Sequence, residues 1–288
     1  MKFNVLGLFL LLSAAILAPA LPAHAAEKKG ACDGIPVVEN RILPSERESE
    51  QKKEATEETE APAYHKLYPD LYVTPAADHD PVDSKVIYLT FDDGPFAMTD
   101  SYLELLGKHG VTATFFVIGR NDAASRARMK RIAGAGHTLA PHSYTHDYGK
   151  VYASVDDFLH DFKKISDLVY SITGQKPAIF RFPGGSVNIY NKKVCRLIID
   201  EMLRRGYTYY DWSISAADTA KNATAATTEE NVLRKLDRTA HKIVLMHEGK
   251  KHTLSALDSL IKTLKEGGYT FAGITAKTKP VCLPLPAK

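Results

Sequence analysis

From residue 84 onward the chain alternates short runs rich in β-branched and aromatic residues with amphipathic stretches of helical period. Seven runs, at 86–91, 113–118, 137–140, 178–182, 207–212, 243–247 and 269–274, read as strands. Helix signals fill the intervals. Ser154 with Asp157 predicts a capping box, after which Val155, Phe158, Phe162, Ile165, Leu168, Val169 and Ile172 recur at helical spacing until Gly174 stops them. Residues 191–205 repeat this logic up to Gly206, and residues 253–266 repeat it up to Gly267 and Gly268. Repeated strand-then-helix order predicts a parallel sheet, because parallel neighbours must be joined by a crossover. The expected fold is α/β, a distorted (β/α)7 TIM-like barrel with fewer than the usual eight strands that need not close fully. An open doubly wound sheet satisfies the same alternation.

Upstream the pattern disappears. Residues 26–84 read as a polar linker and N-terminal extension, and within 46–60 the only apolar residue is Ala55. The apolar piece at 64–72 could pack on the domain surface. Residues 1–25 read as an export signal, with Lys2 at the front, an apolar run over 5–17, and Ala23-His24-Ala25 as a cleavage site. A retained signal would instead act as an anchor, with the linker as spacer. The catalytic-looking domain is expected over 85–276 and a C-terminal tail over 277–288. Charged residues at 25% and a net charge of +3 are ordinary for a globular chain and argue against nucleic acid as partner. Of three cysteines, Cys32 and Cys282 sit where a bridge could pin the extension to the domain, and Cys195, inside an apolar helical pattern, reads as a buried free thiol.

The chemistry gathers after the strands. Asp92 and Asp93 follow the first run, His142 and His146 the third, Arg181 ends the fourth, Trp212 and Asp218 end or follow the fifth, and His247 ends the sixth. In a parallel barrel all these positions share the carboxyl-terminal face, where active sites are built. Asp-Asp-Gly-Pro alone is ordinary turn chemistry, and His-x-x-x-His alone could be two exposed loop histidines. Together they point further. Imidazoles four apart meet on one face if the segment coils into a helical turn, and Asp93 across the barrel mouth would complete two His and one Asp around an ion. His137, at the start of the third run, reads as structural.

In their order, Thr90 to Pro95, His142 to His146, Arg181-Phe182-Pro183-Gly184-Gly185, the Trp212 to Asp218 segment and Leu245-Met246-His247 resemble the five motifs of the polysaccharide deacetylases, carbohydrate esterase family 4. The resemblance implies metal-dependent removal of acetyl groups from N-acetylated sugars. By position it makes Asp93, His142 and His146 ligands of a divalent metal, with Zn²⁺ expected, Asp92 the general base and His247 the general acid. Arg181 would hold Asp92, Gly184 would offer a backbone N–H to the oxyanion, and Trp212 and Leu245 would line the acetyl pocket. Two departures stand out. Gly184 replaces the bulky residue of many members, which is expected to open one cleft wall. Ser215 falls where an Asp is frequent, leaving Asp218 to orient His247 or merely to cap a loop. The implied substrate is peptidoglycan N-acetylglucosamine. Chitin-type oligomers, O-acetylated xylan, or silent glycan binding on the same fold are the alternatives. The chain is expected to be exported and monomeric, with no membrane insertion once the signal is removed.

Overall fold

The computed structural model describes residues 61–286. The elements in chain order are β1 (Val86–Asp92), α1 (Thr99–Lys108), β2 (Thr114–Ile118), α2 (Ala123–Gly134), β3 (Thr138–Ser143), α3 (Tyr148–Val151), α4 (Val155–Thr173), β4 (Ile179–Phe180), α5 (Cys195–Arg204), β5 (Thr208–Tyr209), β6 (Ile214–Ser215), α6 (Ala225–Leu233), β7 (Lys242–His247), α7 (Lys251–Glu266) and β8 (Thr270–Phe271). Every strand pair is parallel. One sheet runs β3-β2-β1-β7-β6, and β4 pairs only with β5. The central strands are almost continuously buried, because helices cover their outer faces and side chains fill the inside.

This is a distorted (β/α)7 barrel that does not close, and its irregularities are local. A strand has two edges, and β7 takes one edge of β1 along 87–92. The other edge is shared, by β8 opposite Val86 and Ile87 and by β2 opposite 90–92. The fifth predicted run is broken. Its first part, β5, pairs with β4, and the chain then crosses to pair with β7 as β6. Both pieces run in the same direction, so they form one stave, and the staves among the described residues number seven. The C-terminal segment is tied to the crossing: Asp211 N–H donates to Val281 O at 2.8 Å and Tyr210 Oη to Thr278 O at 2.6 Å.

The helix ends follow their sequence signals with local differences. Ser154 Oγ accepts the Asp157 N–H, and Gly174 closes α4 at φ 71°. The Asp157 carboxylate, however, takes the Ser154 hydroxyl at 2.6 Å, so the reciprocal half of the capping box is absent. Helix α5 starts at Cys195, later than its apolar period suggests, because 191–194 form turns around the buried Asn191. Cys195 is a buried free thiol, and Cys282 is disulfide-bonded. Cys32, the export signal and the linker up to residue 60 lie outside the described residues. Among the described residues no helix is long and apolar enough to cross a membrane.

The piece at 64–72 is fastened to the domain by a buried cation. Arg205, at the C-terminal end of α5, donates to the carbonyls of Tyr64, Leu67, Tyr68 and Leu71, and its Nε lies 2.6 Å from Glu201 Oε1. Four carbonyls and a carboxylate satisfy a guanidinium that is wholly out of water. Gly206 follows at φ 86°, and a side chain there would collide with Val73 O. Removing one partner of such a buried pair costs about 3–5 kcal/mol. Arg205→Leu should therefore lower the urea unfolding midpoint by a corresponding amount and open 64–72 to proteolysis before the rest of the domain.

Candidate active site

Asp92, Asp93, His142, His146, Arg181, Gly184, Asp218 and His247 lie at or beyond the carboxyl ends of the staves, whereas Leu245 is inside β7 and Trp212 sits in the crossing from β5 to β6. Asp92 is the last residue of β1, and Asp93 turns into the left-handed region at φ 71°. The two adjacent carboxylates consequently meet different partners. Asp92 faces Arg181, with Oδ1 2.9 Å from Nη1, while Asp93 faces two imidazoles.

Asp93 Oδ1 lies 3.1 Å from His146 Nε2 and 3.5 Å from His142 Nε2, and one donor atom from each of the three residues lies within 4.8 Å of the others. His142 Nδ1–H donates to Arg181 O at 2.9 Å, so its Nε2 turns a lone pair toward the carboxylate. Two acceptors facing each other are unfavourable without a cation between them. Asp93 Oδ1 is buried and makes no hydrogen bond of good geometry among the described residues. Burial pulls the His142 imidazole down, which favours the neutral form a metal requires. Close contact with Asp93 holds His146 up against burial. Burial pushes Asp93 up, but the two imidazoles outweigh it and hold the carboxyl well below the usual range. Two imidazole nitrogens and a carboxylate oxygen fit a divalent cation that keeps open positions.

The imidazoles converge differently from the helical turn that their spacing suggests. His142 belongs to β3, and His146 follows in a loop at φ 53°. What folds that loop back is Asp161 on α4. Its carboxylate accepts Ser143 Oγ and Tyr144 N–H at 2.7 Å, Thr145 N–H at 2.8 Å and Thr145 Oγ1 at 2.7 Å. Ser143 Oγ in turn accepts the His146 N–H at 2.8 Å. Asp161 belongs to no recognised motif. Its signal was a carboxylate within the apolar face that Phe158, Phe162 and Ile165 define, where an unpaired charge would not be tolerated.

The remaining site residues form two held pairs and a wall. Arg181 is fully buried and fixes Asp92. His247 Nδ1–H donates to Asp218 Oδ1 at 2.8 Å, while Asp218 Oδ2 accepts the His247 N–H at 2.7 Å and Thr253 Oγ1 at 2.8 Å. Burial lowers the His247 imidazole, but the Asp218 hydrogen bond and the charges of Asp92, Asp218 and Asp93 leave it raised. Leu245 shares the face of β7 with His247, two residues on. Gly184 sits at φ 71°, and its N–H meets no acceptor among the described residues. Trp212 Cη2 stands 3.0 Å from where a Cβ on Gly185 would be. The space that a side chain at 184 would take is occupied by Tyr148, whose Oη lies 3.1 Å from that Cβ position. Asp211 holds this loop: its buried carboxylate accepts Ser186 N–H at 2.8 Å, Ser186 Oγ at 2.5 Å and Leu283 N–H at 2.7 Å.

An Asp-His-His donor set flanked by an arginine-held carboxylate and a carboxylate-held histidine, at the mouth of a (β/α)7 barrel, defines a hydrolase site of the metal-assisted kind. The chain belongs to the polysaccharide deacetylase family, which residues 79–210 match. It is 33% identical over 194 residues to a peptidoglycan-N-acetylglucosamine deacetylase of Bacillus cereus, covering 66% of this chain and 69% of that protein. It is 31% identical over 194 residues to a peptidoglycan-N-acetylmuramic acid deacetylase of Bacillus subtilis, covering 66% of this chain and 70% of that protein. Among solved structures, the catalytic domain of a peptidoglycan N-acetylglucosamine deacetylase from Eubacterium rectale superposes with a TM-score of 0.70 at 30% identity, over 74% of this chain and 98% of that one.

Partners that orient metal-binding side chains typically contribute 10–100-fold to metal affinity. Asp161→Asn, which cannot accept the same four donors, should bind Zn²⁺ weaker by roughly that factor in a calorimetric titration. Its circular dichroism should match that of the unaltered protein.

Proposed function

We propose that this chain is an exported, metal-dependent deacetylase of an N-acetylated cell-wall glycan, with peptidoglycan N-acetylglucosamine as substrate. The observation that carries the reading is the convergence of Asp93, His142 and His146 within 4.8 Å, beside Asp92. The relatives named for peptidoglycan sugars support the choice of polymer. The signal-like residues 1–25 support export, and the small net charge of +3 argues for the glycan rather than nucleic acid as partner.

Asp93, His142 and His146 would hold the ion, which we take to be Zn²⁺, and when bound it supplies a Lewis-acidic centre for a water and the acetyl carbonyl oxygen. Asp92, whose Oδ2 is 3.9 Å from His142 Nε2, takes the proton from the water that attacks the amide carbon. Arg181 orients that carboxylate through its Nη1 contact with Oδ1. The free Gly184 N–H donates to the oxygen on which negative charge develops. His247, charged and fixed by Asp218, gives its proton to the departing amine. Leu245 and Trp212 close around the acetyl methyl group. The products are acetate and a free glucosamine amine.

Incubation with N-acetylated glycan should release acetate, and thorough chelation should stop the release until Zn²⁺ is returned. Undiminished activity after metal removal would refute the reading. Asp92→Asn should cut kcat by about 10²–10⁴-fold while Zn²⁺ still binds, whereas a silent binding protein would bind glycan equally well with either residue and release no acetate. A third outcome concerns pH. His247 must be charged to act, and its raised pKa keeps it charged further into the alkaline range. Activity therefore falls as pH rises through that value, and Asp218→Asn, which removes the main upward influence, should move the alkaline limb of the kcat profile to lower pH.

A further inference from the structure

Beside the cleft, the loop 183–191 between β4 and α5 holds two large apolar side chains in solvent. Ile189 is 73% exposed and Tyr190 57%. The backbone beneath them is rigidly tied. Asn188 Oδ1 accepts the Tyr190 N–H at 2.8 Å and the Asn191 N–H at 3.1 Å, while its Nδ2 donates to Pro183 O and Gly185 O, both at 3.1 Å. Buried Asn191 answers from the other side, accepting the Asn188 N–H at 2.9 Å and donating to Ser186 O at 3.0 Å. An exposed tyrosine on so fixed a loop loses little freedom when something packs on it.

Tyr190 is also the outer end of a row of rings. It stacks on Tyr148 at 4.8 Å and 11°, Tyr148 lies 6.2 Å from Tyr152 at 7°, and the row continues through Phe158 to Phe162 in the core. Tyr152 Oη, donating to Pro183 O at 2.7 Å, locks the row to the Gly184 loop. Tyr148 touches His146 as well, with ring centroids 5.3 Å apart. The exposed ring of Tyr190 is thus two ring contacts from the Asp-His-His cluster. A pyranose has an apolar C–H face that packs on an aromatic ring while its hydroxyls stay in water.

Resting on the deacetylase reading above, we infer that Tyr190, backed by Tyr148, is a sugar-stacking subsite for the pyranose next to the one being deacetylated. The subsite makes the enzyme favour chains over single sugars.

The test uses the full chain loaded with Zn²⁺ and β-1,4-linked N-acetylglucosamine oligomers from the monosaccharide to the pentasaccharide. The gain in kcat/KM with chain length should shrink roughly tenfold in Tyr190→Ala, about 1.4 kcal/mol, and should appear as a rise in KM for the pentasaccharide. Tyr190→Trp should keep the gain. Calorimetric binding of the pentasaccharide to Asp92→Asn gives a second readout, expected to weaken by the same roughly tenfold factor when Tyr190→Ala is added. Equal length dependence with and without the ring overturns the inference, as does an equal loss in Tyr170→Ala, an exposed tyrosine on α4. If no variant releases acetate but calorimetry still depends on Tyr190, the deacetylase reading fails and the stacking subsite stands.

Discussion

The barrel and its chemistry depend on one buried guanidinium. The β4-β5 pair makes no ladder with the larger sheet, and the N–H of Arg181 reaching Pro141 O at 3.2 Å is the main-chain bond that joins β4 to β3. Across the interior the side chain of the same residue completes the connection. Its Nε donates to Tyr210 O, Nη2 to Asp211 O, and Nη1 to Thr90 Oγ1 and Asp92 Oδ1, while the planar group lies 4.3 Å over the ring of Phe116. A lysine could not serve here, because no point charge matches three directions and an aromatic face together. Buried ion pairs add little net stability once desolvation is counted. Geometry is what this one supplies. The contact that bridges two sheets also fixes the oxygen of Asp92 beside the Asp-His-His cluster.

The same division of labour recurs around the mouth. Each side chain to which we assign a role in the reaction is held by a neighbour: Asp92 by Arg181, His247 by Asp218, His142 by the carbonyl of Arg181, and His146 by Ser143 and Asp161. Reaction geometry tolerates little displacement, so the holding residues matter nearly as much as the reacting ones. They also explain why neighbours in sequence behave differently. Asp92 ends a strand and meets a cation fixed by the sheet, whereas Asp93 leaves the strand and meets two imidazoles.

Much of this was legible in the sequence, and what was not has a common cause. Strand runs, the long helix α4 and the gathering of Asp92, Asp93, His142, His146, Arg181 and His247 on one face follow from periodicity and chain order, which are local properties. The break between β5 and β6 escaped because residues 207–212 keep a strand-like composition while their partner changes, and pairing is a long-range property. The histidines four apart suggested a helical turn, since spacing cannot register that a carboxylate on another element folds the loop. Arg205 ends a predicted helix, and helical spacing does not register the four carbonyls that the segment at 64–72 lays against it. Tyr148 fills the wall that Gly184 was expected to open, and no local signal reveals this because the ring comes from a different stave.

Placing both Asp93 and His146 in the left-handed region carries a backbone cost of order 1–3 kcal/mol each, which persists only where the surroundings over-determine the conformation. For His146 the surroundings are Ser143 and Asp161. For Asp93 they are Glu248, the residue after His247. Its N–H donates to Asp92 O at 3.1 Å, and its Oε1 accepts the Phe96 N–H and the Thr99 hydroxyl, so it brackets the turn on both sides. A side chain on Gly94 would collide with this carboxyl, which accounts for glycine at that point of the turn. Burial pushes Glu248 up to about 6, and its Oε2 has no partner among the described residues. A buried carboxyl with an unpaired oxygen is itself costly. Its position resolves the apparent waste: β7 delivers Glu248 to the turn and His247 to the cleft in consecutive residues. The element that carries the proposed acid therefore also fixes the backbone of the proposed base and of the proposed metal ligand beside it.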